Sequence, residues 1–182
     1  MRHLNGAALG GALSIADHLD AQPRPIQFVD LKAQHVLIGE RVNARIQEVL
    51  ESGRYVLGPM VEELEDRLSD FAGVRHSVSV SSGTDALFVA LLARGIGAGD
   101  AVFIPGFTFT ATAEVIVLAG ATPVFVDVER ESFNICPEDL ERSIKAVEAE
   151  GKLKPAAVIA VDLFGAPADY MSLRAITAVS YT

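Results

Sequence analysis

Short β-rich runs alternate with helical stretches along most of this chain, and that alternation restricts the fold more than any other feature. The runs are His76 to Val80, Ala101 to Ile104, Pro123 to Asp127 and Ala156 to Val161. Helix-like stretches lie between them near Thr84 to Ala93, Thr108 to Ala119 and Pro137 to Glu148, punctuated by Gly97-Ala98-Gly99-Asp100 and Gly120-Ala121-Thr122-Pro123. Strand and helix in strict turn predict an α/β fold with a mainly parallel sheet and helices on its faces. All four runs are therefore expected as parallel neighbours in one sheet.

Two further helices are predicted upstream. Val36, Ile38, Val42, Ile46, Val49 and Leu50 recur at near-helical spacing and stop at Ser52-Gly53, where a glycine can take the left-handed conformation that ends a helix. Pro59 opens the next, with Val61, Leu64, Leu68 and Phe71 on one side, Glu62, Glu63 and Glu65 in the early turns, and Gly73 as its stop. Residues 1–25 read as a flexible leader ending at Pro23-Arg24-Pro25. Its apolar run is too broken by Asn5, Gly6, Gly10, Gly11 and Ser14 to match a signal peptide well.

Composition excludes several function classes. With 182 residues, half of them hydrophobic, the chain can bury a real core, and its net charge of −9 is the opposite of a nucleic-acid footprint. No run reaches the roughly 20 apolar residues of a membrane span. The single cysteine, Cys136, offers neither an internal disulfide nor a metal site of the usual Cys/His kind, so no metal is expected and a cytoplasmic setting fits.

In parallel sheets ligands gather outside the carboxyl ends of the strands, so the turns there are the places to look. After His76 to Val80 comes Ser81-Ser82-Gly83-Thr84-Asp85-Ala86-Leu87, whose small residues, free amides and helix dipole suit an anion such as phosphate. The same letters also describe an ordinary helix cap. No Walker A lysine and no G-x-G-x-x-G run is present. The next turn, Pro105-Gly106-Phe107-Thr108-Phe109-Thr110, offers Phe109 as a ring that could lie on a flat ligand; the plainer alternative is that both phenylalanines fill the core. Asp162, after the fourth run, either needs a partner if buried or is a loop carboxylate in water.

The order of these blocks carries a resemblance. Phe28-Val29-Asp30-Leu31-Lys32-Ala33-Gln34, Gly53-Arg54-Tyr55-Val56-Leu57-Gly58-Pro59, Ser81 to Leu87, Gly95 to Asp100, Pro105 to Glu114 and Gly120 to Val128 resemble, in that order, the DegT/StrS family of pyridoxal-phosphate sugar aminotransferases. The likeness runs from about Ile26 to Ile176 and is nearest to enzymes that aminate a 3-keto UDP-sugar acid for bacterial surface polysaccharide. It implies a type I transferase large domain over residues 26–182, a smaller C-terminal domain and a homodimer in the intact enzyme. It also implies pyridoxal 5'-phosphate as cofactor, with a keto-sugar nucleotide and an amino-acid donor, glutamate, as substrates. Gly83 and Thr84 would hold the cofactor phosphate, Phe109 would stack on its ring, and Gly53 and Tyr55 would touch the sugar nucleotide.

The resemblance also exposes two gaps. The family's acidic residue for the pyridine nitrogen and its Schiff-base lysine have no counterpart. Ser132-Phe133, the one Ser-Phe pair, is followed by Asn134-Ile135-Cys136-Pro137 and no lysine. Lys32, Lys145, Lys152 and Lys154 are the only lysines, and all lie outside the candidate turns. No catalytic residue is therefore assigned. The expectation is an N-terminal fragment, cut short before the later strands and the small domain, and inactive in transamination. The alternatives are a non-catalytic phospho-ligand-binding or dimer-partner protein of the same fold, or a remnant without a ligand.

Overall fold

A computed structural model describes residues 28–179, and the chain divides after Gly73 into two compact units. The leader predicted for residues 1–25 lies outside the described residues.

The first unit is a pair of helices, α1 (Leu31–Ser52) and α2 (Pro59–Ala72). Helix α1 starts five residues before the apolar periodicity does, because the Asp30 side chain accepts the Ala33 amide at 3.0 Å and caps it there. Gly53 ends it at φ 64° and Gly73 ends α2 at φ 65°, the left-handed stops predicted from sequence. Arg45 and Arg67 both reach Glu63, at 2.8 and 2.5 Å.

The second unit follows as α3 (Gly83–Ala93), β1 (Asp100–Pro105), α4 (Ala111–Leu118), β2 (Thr122–Val126), α5 (Pro137–Glu150), β3 (Lys154–Val158), a 3-10 turn at Leu163–Gly165 and α6 (Tyr170–Val179). The three strands are parallel in the order β2-β1-β3, with Phe103 beside Val124 on one side and Val158 on the other. Central β1 is buried from Ala101 to Pro105, and its side chains alternate between two cores. Ala101 and Phe103 join Leu140, Ile144 and Leu173 of α5 and α6, whereas Val102 and Ile104 join Leu91, Val115 and Ile116 of α3 and α4. The chain moves from β1 to β2 through α4 on one face, then back across β1 to β3 through α5 on the other. A reversal of direction with a change of face keeps both crossovers the same hand.

Two expectations need correction. The run His76 to Val80 is not a strand: the sheet among the described residues has three members, and Val78 stays 78% exposed. Alternating side chains make a strand only where a neighbour takes up the backbone groups, and neither β2 nor β3 pairs with this run. The helix expected from Thr108 begins at Ala111 instead. Thr108 to Thr110 form the turn out of β1, held by a 3.0 Å hydroxyl bond between Thr108 and Thr112.

Candidate functional site

Helix α3 opens on an organised anion-type turn. Ser82 is its N-cap, accepting the Asp85 amide on Oγ at 3.1 Å and donating its own proton to Asp85 Oδ2 at 3.0 Å. The Ser81 hydroxyl donates to the same oxygen. These two bonds, Ser81's the larger in effect, hold the Asp85 carboxyl below its ordinary range. With Asp85 and Ala86 amides spent on Ser82, the amides of Gly83 and Thr84 remain directed out of the helix start. A Cβ placed on Gly83 meets nothing within 4 Å, so the space over this turn is open. The Thr84 hydroxyl, half-buried in the first helical turn, has no hydrogen-bond partner among the described residues.

Topology sets where this turn lies. Only residues 94–99 connect α3 to the start of β1, and both pack in one core, so α3 runs antiparallel to β1 and its N-terminus faces the carboxyl edge of the sheet. Helix α4 leaves that same edge on the same face, and Phe109, 77% exposed, sits just before it. Topology thus sends the turns that carry Gly83-Thr84 and Phe109 out of the same edge of the sheet. Phe109 is not core, whereas Phe107 is half-covered by neighbouring rings, Phe133 at 5.8 Å and Phe164 at 6.4 Å between centroids.

Gly53 and Tyr55 belong to the first unit. Gly53 donates its amide to Val49 O as the α1 cap, and the exposed Tyr55 hydroxyl lies 3.5 Å from Leu50 O. Asp162 is the exposed loop carboxylate of the second alternative, with partners besides water: its Oδ1 accepts the Ala168 amide and the Tyr170 hydroxyl, both at 2.9 Å. Of the lysines in this unit, Lys145 pairs with Glu141, Lys152 with Glu150, and Lys154 begins β3 at the amino edge, away from the candidate turns. Lys32 is an exposed residue of α1.

Sequence inspection missed Asn134, 3% exposed, whose amide joins two loops. The available signal was a phenylalanine a few residues past the end of each of the three strands. No cluster of metal-ligating side chains occurs among the described residues, and no described helix is long and apolar enough to cross a membrane.

Solved aminotransferases share this architecture. A DegT DnrJ EryC1 StrS aminotransferase from Brucella abortus superposes with a TM-score of 0.83 at 51% identity, covering 86% of this chain and 42% of that one. NtdA from Bacillus subtilis, solved with bound cofactor PMP, gives 0.67 at 31% identity over 77% of this chain and 31% of its own. In sequence, UDP-2-acetamido-2-deoxy-3-oxo-D-glucuronate aminotransferase of Pseudomonas aeruginosa is 45% identical over 151 residues, 83% of this chain and 40% of that protein. The fold is thus that of pyridoxal-phosphate-dependent aminotransferases. Residues 36–180 match the model of the DegT/DnrJ/EryC1/StrS aminotransferase family, and the chain belongs to that family. It spans about two fifths of the length of such relatives.

Proposed function

We propose that this chain is the cofactor-binding part of a pyridoxal-phosphate-dependent nucleotide-sugar aminotransferase. In the intact enzyme an amino group passes from an amino acid, glutamate, to a keto-sugar nucleotide destined for surface polysaccharide or aminosugar synthesis. The observation that carries this is the open start of α3, with two outward amides and a Thr84 hydroxyl that has no partner among the described residues, on the edge that also presents Phe109. That set fits a phosphate joined to a flat ring. Gly83 and Thr84 take the phosphate, and Phe109 covers the ring and keeps water from that face. Gly53 and Tyr55 meet the sugar nucleotide. When bound, the cofactor supplies a ring that accepts the electrons released as the donor loses its α-proton. Names of similar proteins support the substrate class, a UDP-linked 3-oxo sugar acid in the Pseudomonas relative. A cytoplasmic homodimer is the setting proposed for the intact enzyme.

Of the four lysines, three are placed away from the turns of their own unit and the fourth, Lys32, stands on α1. We therefore propose that the 182-residue chain holds the cofactor but does not transaminate. Titration with pyridoxal phosphate, followed by equilibrium dialysis, should show saturable binding that Thr84→Val and Phe109→Ala each weaken. Glutamate-dependent amination of a keto UDP-sugar should be undetectable. Turnover by this chain that Lys32→Ala abolishes would overturn the inactive reading, and binding indifferent to both site substitutions would overturn the site.

A further inference from the structure

At the carboxyl edge, the loop after β1 leads to α4 on one face while the loop after its neighbour β3 leads to α6 on the other. Divergence of adjacent loops opens a crevice in a parallel sheet, the usual place for a ligand. Phe107 comes from the first loop and Phe164 from the second, and Phe133 from the loop after β2 completes a cluster of three rings. Phe133 and Phe164 both stand in the left-handed region, at φ 60° and 54°, a conformation that bulky residues seldom keep without reason. Asn134 lies at the centre of both. It directly follows Phe133, its Nδ2 donates to Ala166 O at 2.9 Å, and its Oδ1 accepts the Leu163 amide at 3.1 Å. The two bonds bracket Phe164 and fix the turn that presents its ring, 82% exposed, beside Phe107.

We propose that Asn134 is a positioning residue that holds Phe164 in a wall with Phe107 and Phe133, and that this wall takes the flat base of a nucleotide ligand. The inference rests on the nucleotide-sugar reading above and extends it to the base. Strained backbone at two aromatic positions is retained because glycine there would relieve the strain but lose the rings. The wall carries no charged group, so it offers stacking and no grip on a phosphate.

Calorimetric titration of the 182-residue chain with uridine diphosphate, and separately with inorganic pyrophosphate, tests this. Uridine diphosphate should bind more tightly than pyrophosphate. Phe164→Ala and Asn134→Ala should each weaken it about tenfold, Phe164→Tyr should stay within about twofold, and pyrophosphate should respond to none of them. Equal affinity for the two ligands, or full affinity in Phe164→Ala, overturns the wall. If Asn134→Ala lowers the melting temperature but leaves uridine diphosphate affinity intact, its positioning role is overturned. The aminotransferase reading fails separately, through loss of pyridoxal phosphate binding in a chain that still binds uridine diphosphate.

Discussion

The two units use the same amphipathic grammar and reach opposite degrees of burial. In α1 and α2 the sole buried helical residue is Gly39, and Ile46, Leu50, Leu64 and Leu68 are between 45% and 55% exposed. Their apolar stripes, with Met60, border an open groove of about 880 Å³. In the second unit Val102, Ile104, Val115, Ile116 and Leu140 are each at 0%. A helix can be specified by its caps and period alone, but two helices meet along one seam, whereas a strand with covered neighbours on both faces buries every side chain it has. Burial follows the number of faces an element can share, not its hydrophobicity.

The most severe test of that contrast is a pair of truncations. Ile104→Ala on β1 should cost about 2–5 kcal/mol, because it removes packing from a site that cannot collapse, while Leu50→Ala on α1 should stay within about 0.5 kcal/mol. Urea unfolding followed by circular dichroism measures both. A loss at Leu50 as large as that at Ile104 would mean that the α1 stripe is covered in solution, and the contrast would fall.

A second pair concerns glycines. At Gly58, ahead of α2, a Cβ would stand 2.5 Å from the Arg54 carbonyl oxygen, a backbone atom that cannot swing aside. Gly58→Ala should cost about 1–3 kcal/mol and speed amide exchange at Val61, whose N–H bonds the Gly58 carbonyl at 2.9 Å. Gly83→Ala in the second unit meets open space. It should leave the fold unchanged and weaken pyridoxal phosphate binding instead, separating a glycine kept for packing from one kept for a ligand.

Local chemistry made much of this legible in advance. Gly53, Pro59 and Gly73 set helix limits through their own backbone preferences, and the β-rich run Ala101 to Ile104 marked a strand from its own residues, though not its central place in the sheet. The misses share a cause in distance along the chain. His76 to Val80 alternates correctly yet needs a neighbour that no local pattern announces. Asn134 owes its role to Ala166, 32 residues away, and in sequence it is one more polar letter in a loop. The turn Ser81 to Asp85 lay between these cases: its capping was legible, but the open space over Gly83 was not.

The smallest expected effects are pH-dependent and affect the two ends of the second unit oppositely. Ser81 and Ser82 lower the Asp85 carboxyl in the fold, so its contribution is present above the unfolded carboxylate value and is lost as pH falls through the lower folded one. Tyr170 is raised, first by its bond to Asp162 and then by desolvation, so its contribution is complete below the ordinary tyrosine value and fades as pH rises through the folded one. The protection of the Ala86 amide relative to its intrinsic exchange rate should therefore fall in acid and that of Ala168 in alkali, with neither change seen at the other end. Tyr170→Phe should remove the alkaline response at a cost of about 0.5 kcal/mol, since the hydroxyl is partly solvated. Persistence of the alkaline opening in Tyr170→Phe would show that another group titrates there and that the bond from Tyr170 to Asp162 is not what alkali breaks.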